Sequence, residues 1–238
     1  MSLFRSLPAA AALAAVALLA AGCTATTSGA NAPTSSSVPS DASTPPFADA
    51  VNEVEVAWLD GGRAFAVLTW GSSSCAPVLG DVAASGQGIR ATLAASAEKA
   101  CTDDLAPQAL MVPVPQGVDV TSEVEVEVVH GERTGSARLD ALAEPPRGQT
   151  EYAPSAGRFD RDGIVLLTWG SSSCPPIVND VQSTAAGATV GFEEVDGVCT
   201  MDLAPRLTPI LLPESGEAGA FELTLTGGGL DGKVRVDG

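Results

Sequence analysis

Alternating hydrophobic and polar residues mark β-strands along most of the chain beyond its N-terminal region. The clearest case is EVEVEVV (123–129), in which Val124, Val126 and Val128 fall on one face and the glutamates on the other. Because successive side chains of a strand point to opposite faces, this segment is predicted to bury its valines and expose its glutamates. The segment FELTLT (221–226) alternates in the same way and is predicted to bury its phenylalanine and leucines.

Glycine-rich turn signals separate these segments at short intervals, as in hairpins. They lie at 61–62, 85–88, 130–133, 161–163, 183–187 and 226–232. Outside the N-terminal region no segment has the 3.6-residue periodicity of an amphipathic helix. The chain is therefore predicted to be all-β, with about seven short strands in each half forming a small antiparallel β-sandwich or barrel.

Two segments of the chain occur twice. LTWGSSSC stands at 68–75 and again, unchanged, at 167–174. CTDDLAP (101–107) returns as CTMDLAP (199–205), with a single difference. Repetition at this length indicates a duplicated unit, and each unit is long enough to form its own small domain.

The sequence thus predicts two tandem homologous β domains behind an N-terminal leader. We place the first domain at 48–142 and the second at 150–238, joined by a proline-rich linker at 143–149. Residues 1–22 are assigned to a signal peptide, and 23–47 to a lipidated cysteine followed by a Ser-, Thr-, Ala- and Pro-rich disordered tether, whose composition offers too little apolar surface to fold.

The leader has the layout of an export signal. Arg5 precedes an apolar run over 7–21 that is shorter than the ~20 residues of a membrane-spanning helix. The sequence LAAGC (19–23) resembles the lipobox of bacterial lipoproteins, which implies cleavage before Cys23 and attachment of acyl chains such as palmitate to its sulfur. The resemblance implies a lipid-anchored protein on the extracytoplasmic face of a bacterial cell membrane. The alternative is plain secretion with cleavage after a small residue.

The remaining four of the five cysteines are predicted to form two disulfide bonds. Four cysteines allow three pairings. The midpoint of Cys75 and Cys101 is Gly88, and that of Cys174 and Cys199 lies beside Gly187, so each pair brackets a turn signal. A hairpin around each turn brings its two cysteines opposite each other, which predicts the bonds Cys75–Cys101 and Cys174–Cys199. A thiolate metal site is the alternative, but the chain has no C-x-x-C spacing.

The charge balance excludes several classes of partner. The chain has 12 Lys and Arg against 29 Asp and Glu, a formal net charge of -17. Nucleic-acid binders neutralise phosphates with basic residues, so no nucleic-acid partner is expected, and the membrane is expected to be contacted through the lipid anchor only. With one histidine in the chain, His130, no metal site and no cofactor are expected.

The repeated WGSSSC loops are the candidate ligand-binding sites. Serine hydroxyls and backbone N–H groups can hold an anion or a carbohydrate, and tryptophan offers a stacking surface. The alternative is structural: tryptophan packs on the disulfide while the serines satisfy loop backbone groups. The candidate residues are Trp70, Ser72, Ser73, Ser74, Trp169, Ser171, Ser172 and Ser173.

These residues do not form a catalytic constellation. A serine nucleophile needs an adjacent base, the second half has no histidine, and His130 falls in a turn signal. Asp104 and Asp202 are predicted to cap local turns, and Asp81 and Asp180 to face solvent. No catalytic residue is therefore assigned.

The sequence favours a non-catalytic binding or interaction protein of the cell envelope. Its partner would be a small ligand, a glycan or an envelope protein, for which the groove between the two domains is one possible site. A hydrolase using the serine loops or acidic residues is one alternative, and a purely structural envelope protein is another. The stretch TWGSSSCP (168–175) resembles segments of uncharacterised actinobacterial secreted proteins, a resemblance that implies export and no particular activity.

Overall fold

The structure, a computed structural model, is built from β-strands. It describes residues 54–98, 100–184, 186–213 and 220–237, and within these it has one 3-10 turn, Asp60–Gly62, and no α-helix. The all-β prediction is confirmed. The part of the chain that the structure describes holds no helix of the length and hydrophobicity needed to span a bilayer.

The first half of the described chain contains seven strands, and so does the second. The first half has β1 Glu55–Leu59, β2 Ala64–Gly71, β3 Val78–Ser85, β4 Gly88–Ala94, β5 Ala106–Pro113, β6 Val124–His130 and β7 Arg133–Leu139. The second half has β8 Ser155–Arg158, β9 Gly163–Gly170, β10 Val178–Thr184, β11 Gly187–Phe192, β12 Ala204–Leu211, β13 Phe221–Thr226 and β14 Gly232–Asp237. The predicted signal peptide, the lipidation site at Cys23 and the tether lie outside the described residues.

The strand neighbours of the first half recur in the second. In the first half the orders are β1-β2-β5 and β3-β4-β6-β7; in the second they are β8-β9-β12 and β10-β11-β13-β14. The second half forms one continuous sheet, because β14 also pairs with β8. Adjacent strands are antiparallel except at β4–β6, β11–β13 and β14–β8.

The alternating segments bury the residues that their pattern predicts. Val124, Val126 and Val128 of β6 lie in the hydrophobic cluster of the first half. The phenylalanine and leucines of β13 lie in the corresponding cluster of the second half. The polar residues between them point away from these cores, as the two-residue period of a strand requires.

Strand β2 is apolar along its length because both of its faces are covered. Phe65 and Val67 face the core of the first half. Ala64, Ala66 and Leu68, on the opposite face, pack against the second half. All five are fully buried. A strand buried on both faces has no polar side to alternate with, which explains the continuous run AFAVL.

A third hydrophobic cluster joins the two halves. Its buried members, the central cluster, are Ala57, Leu59, Ala64, Ala66, Leu68, Val165 and Leu167. Small side chains let the facing strands approach closely: a Cβ on Gly157 would lie 2.2 Å from the backbone oxygen of Trp58. Close packing is limited to these strands, since a cavity of about 390 Å³ elsewhere is lined from both halves, by Trp58 and Leu142 on one side and Arg235 and Val236 on the other.

Prolines mark the edge strands that flank this cluster. Pro107 and Pro113 lie on β5, and Pro205 and Pro209 lie on β12; each of these strands ends its sheet order. Proline has no N–H to offer a neighbouring strand, so it is tolerated at an edge and discourages further pairing there.

Candidate functional site

The predicted disulfide bonds are present and bring the repeated motifs together. Cys75 is bonded to Cys101, and Cys174 to Cys199. The WG dipeptide ends strand β2 in the first half and strand β9 in the second. Each disulfide joins the loop after this dipeptide to the loop before β5 or β12. The residues beside the bonded cysteines are therefore neighbours in space.

In the first half these loops form a hydroxyl cluster. The Oγ1 atom of Thr102 lies 2.8 Å from Ser72 Oγ, 3.2 Å from Ser74 Oγ and 3.3 Å from Ser73 Oγ. The Thr102 hydroxyl also donates to Asp104 Oδ1, and the same oxygen accepts the backbone N–H of Ser73 at 3.1 Å. The Thr102 backbone N–H in turn donates to Ser74 Oγ at 2.9 Å. The predicted serines thus meet two residues from the other loop.

The second half repeats this hydroxyl cluster with its own residues. Thr200 Oγ1 lies 2.7 Å from Ser171 Oγ and 3.3 Å from Ser173 Oγ, and it donates to Asp202 Oδ1. The backbone N–H of Ser172 donates to the same carboxylate oxygen at 3.1 Å. Identical sequence therefore produces closely matching hydrogen bonding in both halves.

The two carboxylates of these clusters are held in their ionised form. Hydrogen bonds from the Thr200 hydroxyl and from Ser172 lower the pKa of Asp202 to about 2. Bonds from Thr102 and Ser73 likewise lower the pKa of Asp104. A carboxylate stabilised in this way is a weak proton acceptor, so these aspartates are poorly suited to activate a serine. In the described chain no imidazole or amine hydrogen-bonds to the serines.

The two motif tryptophans occupy different environments. The ring of Trp169 packs edge-to-face on Tyr152, with centroids 5.0 Å apart, and lies against the central cluster. Its indole nitrogen is buried without a hydrogen-bond partner in the described structure. Trp70 instead lines a surface cavity in the first half. The two tryptophans therefore share a sequence motif, but Trp70 lines a cavity whereas Trp169 packs on Tyr152.

This cavity, the Trp70 cavity, has a volume of about 160 Å³ and opens beside the Cys75–Cys101 bond. It lies at the end of the first half where β2 and β5 meet β4, β6 and β7. Its apolar lining residues are Val54, Trp70, Pro77, Leu93 and Val128. An engineered protein cavity of about 150 Å³ accepts a benzene-sized molecule, so this volume suits a ligand of similar size.

Polar groups line the same cavity. His130 and Arg133 face each other across the β6–β7 hairpin, where they are register partners. Both are exposed, and neither side chain has a hydrogen bond or ion pair to any described residue. Gln108 is buried in the cavity wall, where its side-chain nitrogen donates to the backbone oxygen of Ser72. The rim of the cavity therefore carries the guanidinium of Arg133 and the imidazole of His130.

Sequence reasoning found the serines but missed Thr102, Gln108 and Arg133. The signal for Thr102 was available, because a residue adjacent to Cys101 must lie beside the loop containing Cys75 once the disulfide forms. No sequence pattern marked Arg133 as a site residue, because it belongs to a segment that was predicted to be a turn. His130 was placed in a turn and instead ends strand β6.

Among the described residues no group of three or more His, Cys, Asp or Glu is arranged to hold a metal ion. Comparison of the chain with protein families, with curated proteins and with solved structures found no match. The function is therefore inferred from the chemistry of the Trp70 cavity and the hydroxyl clusters.

Proposed function

We propose that this chain is a non-catalytic binding protein of the bacterial envelope that takes a small molecule into the Trp70 cavity. The observation that carries the proposal is a surface cavity with an apolar lining and two charged or titratable side chains, His130 and Arg133, without partners in the described chain. Ligand sites combine apolar walls with a few polar groups that fix orientation. A volume of about 160 Å³ favours a small molecule over a glycan or a protein segment.

The hydroxyl clusters support binding rather than hydrolysis. Five of the six serine hydroxyls are engaged by a neighbouring threonine or serine, and that of Ser172 by Asp202. The carboxylate between each pair of loops is a weak base. We assign these clusters the structural role of fastening the loops beside each disulfide. In the first half, that fastening also holds one wall of the cavity, since Gln108 donates to Ser72.

Two tandem homologous β-sandwich domains, at 48–142 and 150–238 with a linker at 143–149, form the scaffold of this proposal. The repeated motifs and the recurring strand neighbours support a duplication. In each half a hydrophobic cluster draws residues from both sets of strands, an arrangement expected when the two sets pack face to face, although in the second half they belong to one continuous sheet.

Lipid attachment at Cys23 completes the proposal and sets the location as the extracytoplasmic face of a bacterial membrane. The lipobox-like LAAGC (19–23) and the oxidised state of the other four cysteines support export. Radiolabelled palmitate is expected to enter the wild-type protein and not the Cys23→Ser variant. Labelling of both, or of neither, would contradict the anchor while leaving the cavity proposal standing.

Ligand binding is tested with three benzene-sized probes of different charge: benzyl alcohol, benzylamine and benzoate. At least one is expected to bind the full-length protein in saturation-transfer NMR. The Leu93→Phe variant, which narrows the cavity, is expected to abolish that signal, and its circular dichroism checks that it folds. If no probe binds, or if Leu93→Phe leaves binding intact, the Trp70 cavity is not the ligand site.

A further inference from the structure

The two halves differ at the Trp70 cavity, although their hydroxyl clusters match. Strand register places Phe192 at the position of Leu93, and Arg206 at the position of Gln108. Phe192 belongs to the core of the second half. The second half therefore carries larger side chains where the first half leaves space.

Arg206 occupies the second-half space directly. Its guanidinium donates to the backbone oxygens of Cys174 and Trp169, at 3.1 and 3.3 Å. A Cβ on Gly170 would lie 2.7 Å from the guanidinium carbon, whereas a Cβ on Gly71 of the first half would have no neighbour nearer than 3.8 Å. Open space beside the WG dipeptide is thus a property of the first half.

The charged rim is also specific to the first half. When the β13–β14 register is continued two residues past its last pair, Leu225 and Gly232, the position of Arg133 is taken by Leu230, which packs against the core of the second half. The position of His130 is taken by Gly227. Since the second half folds with an apolar residue and a glycine here, the fold itself does not require the two basic side chains. These two side chains are therefore available for a role other than folding.

Arg133 lies beside the cavity and makes no ion pair in the described chain, where the exposed Arg161 also makes none. Arg90, Arg138 and Arg147 each pair with a glutamate. Arg133 has no such partner among the described residues, despite 29 acidic against 12 basic residues in the chain. A guanidinium left free beside a cavity is suited to a carboxylate, whose two oxygens match its planar donors.

We infer that the Trp70 cavity binds a small carboxylic acid with an apolar body, whose carboxylate pairs with Arg133 and His130. This inference rests on the proposed function and names its ligand class. The apolar body lies against Trp70, Leu93 and Val128, and the carboxylate stays at the rim where both basic side chains are exposed. The acidic surface elsewhere does not prevent binding, because at physiological salt exposed charges more than about 8 Å apart are largely screened.

The test compares benzoate with neutral benzyl alcohol by isothermal titration calorimetry of the full-length protein. Charge-assisted hydrogen bonds at an exposed rim lead us to expect benzoate to bind about tenfold more tightly than benzyl alcohol. Arg133→Gln is expected to weaken benzoate binding by a similar factor and to leave benzyl alcohol unchanged. Arg161→Gln, an exposed arginine of the second half that changes the net charge equally, is the matched control and is expected to have no effect.

Each outcome separates this inference from the proposed function. Equal binding of both probes, lost in Leu93→Phe but unaffected by Arg133→Gln, overturns the carboxylate specificity and leaves a binding cavity. Benzoate binding that falls in Arg133→Gln but not in Leu93→Phe places the anion outside the cavity and overturns the inference. Failure of benzoate and benzyl alcohol to bind overturns the inference, and the proposed function falls with it only if benzylamine also fails to bind.

Discussion

The backbone N–H of Ser172 donates a hydrogen bond to the carboxylate of Asp202, 3.1 Å away, across the two loops that the Cys174–Cys199 bond joins. The first half has the same contact, also at 3.1 Å, between Ser73 and Asp104. A covalent bond and a carboxylate thus fasten each pair of loops at neighbouring points. The carboxylate makes the fastening sensitive to acid.

Asp202→Asn is expected to reduce stability at neutral pH and to make the protein less sensitive to acid. The pKa of Asp202 is lowered from 3.8 to about 2 by its hydrogen bonds, so in the unfolded chain the group takes up its proton at higher pH. Its stabilising effect is therefore complete above pH 4 and is lost as the pH falls towards 2. Melting temperatures of wild type and variant should differ at pH 6 and converge between pH 4 and 2.

The neighbouring Asp103 provides the control in the first half. The melting temperature of Asp104→Asn should likewise approach that of the wild type as the pH falls, because the pKa of Asp104 is also lowered. Asp103→Asn removes an exposed carboxylate that makes no hydrogen bond in the described structure and should leave the melting temperature almost unchanged. Equal behaviour of the two variants would contradict a role for the hydrogen-bonded carboxylate.

Removal of one disulfide should destabilise the chain substantially. The bond Cys174–Cys199 closes a loop with a sequence separation of 25 residues. In the chain-entropy account such a crosslink stabilises the fold by about 3.5 kcal/mol. We expect the Cys174→Ala/Cys199→Ala variant to lose free energy of unfolding of this order in urea titrations. A change below about 1 kcal/mol would show that the hydroxyl cluster holds the loops without the bond.

Thr168→Val should stabilise the protein. The Thr168 side chain is buried, and its hydroxyl has no partner in the described structure. Leaving a buried polar group unpaired costs about 1–3 kcal/mol, and valine has the same shape without that group. Urea titration should show a gain of about 1 kcal/mol. Thr226→Val, which removes a hydroxyl that donates to Val190 O, is the contrasting variant and should destabilise.

Gly157→Ala should weaken the packing between the two halves. The added Cβ would lie 2.2 Å from the backbone oxygen of Trp58 and 3.0 Å from Ala57 Cβ, both across the interface. Overpacking of this kind costs about 1–3 kcal/mol, which thermal unfolding should detect. Gly71→Ala, also in a strand, meets nothing nearer than 3.8 Å and is expected to be neutral. Similar losses of stability in both variants would show that alanine is unfavourable in these strands whatever its neighbours, and would contradict the close-approach explanation.

Local patterns in the sequence were sufficient to predict several elements. The valines of β6 are buried as their alternation requires, because one face of that strand meets the core. The disulfide pairs follow from the turn at the midpoint of each pair, since a hairpin determines which residues lie opposite. Both inferences need only distances along the chain.

Features that depend on how the halves pack were not predictable in the same way. The apolar run of β2 gives no indication of what covers its second face, and the structure shows that the cover comes from β9, far along the chain. The Trp70 cavity escaped notice because identical WGSSSC motifs suggested identical sites. Its opening depends on Leu93 and Gln108, whose counterparts Phe192 and Arg206 differ in size rather than in motif.

The central cluster has an evolutionary consequence. Each half uses one face of its β1-β2-β5 or β8-β9-β12 strands to shield the other, so a gene encoding either half alone would leave that apolar face open to water. Recombination that separated the halves would yield an aggregation-prone product. The two halves are therefore expected to be inherited as one piece.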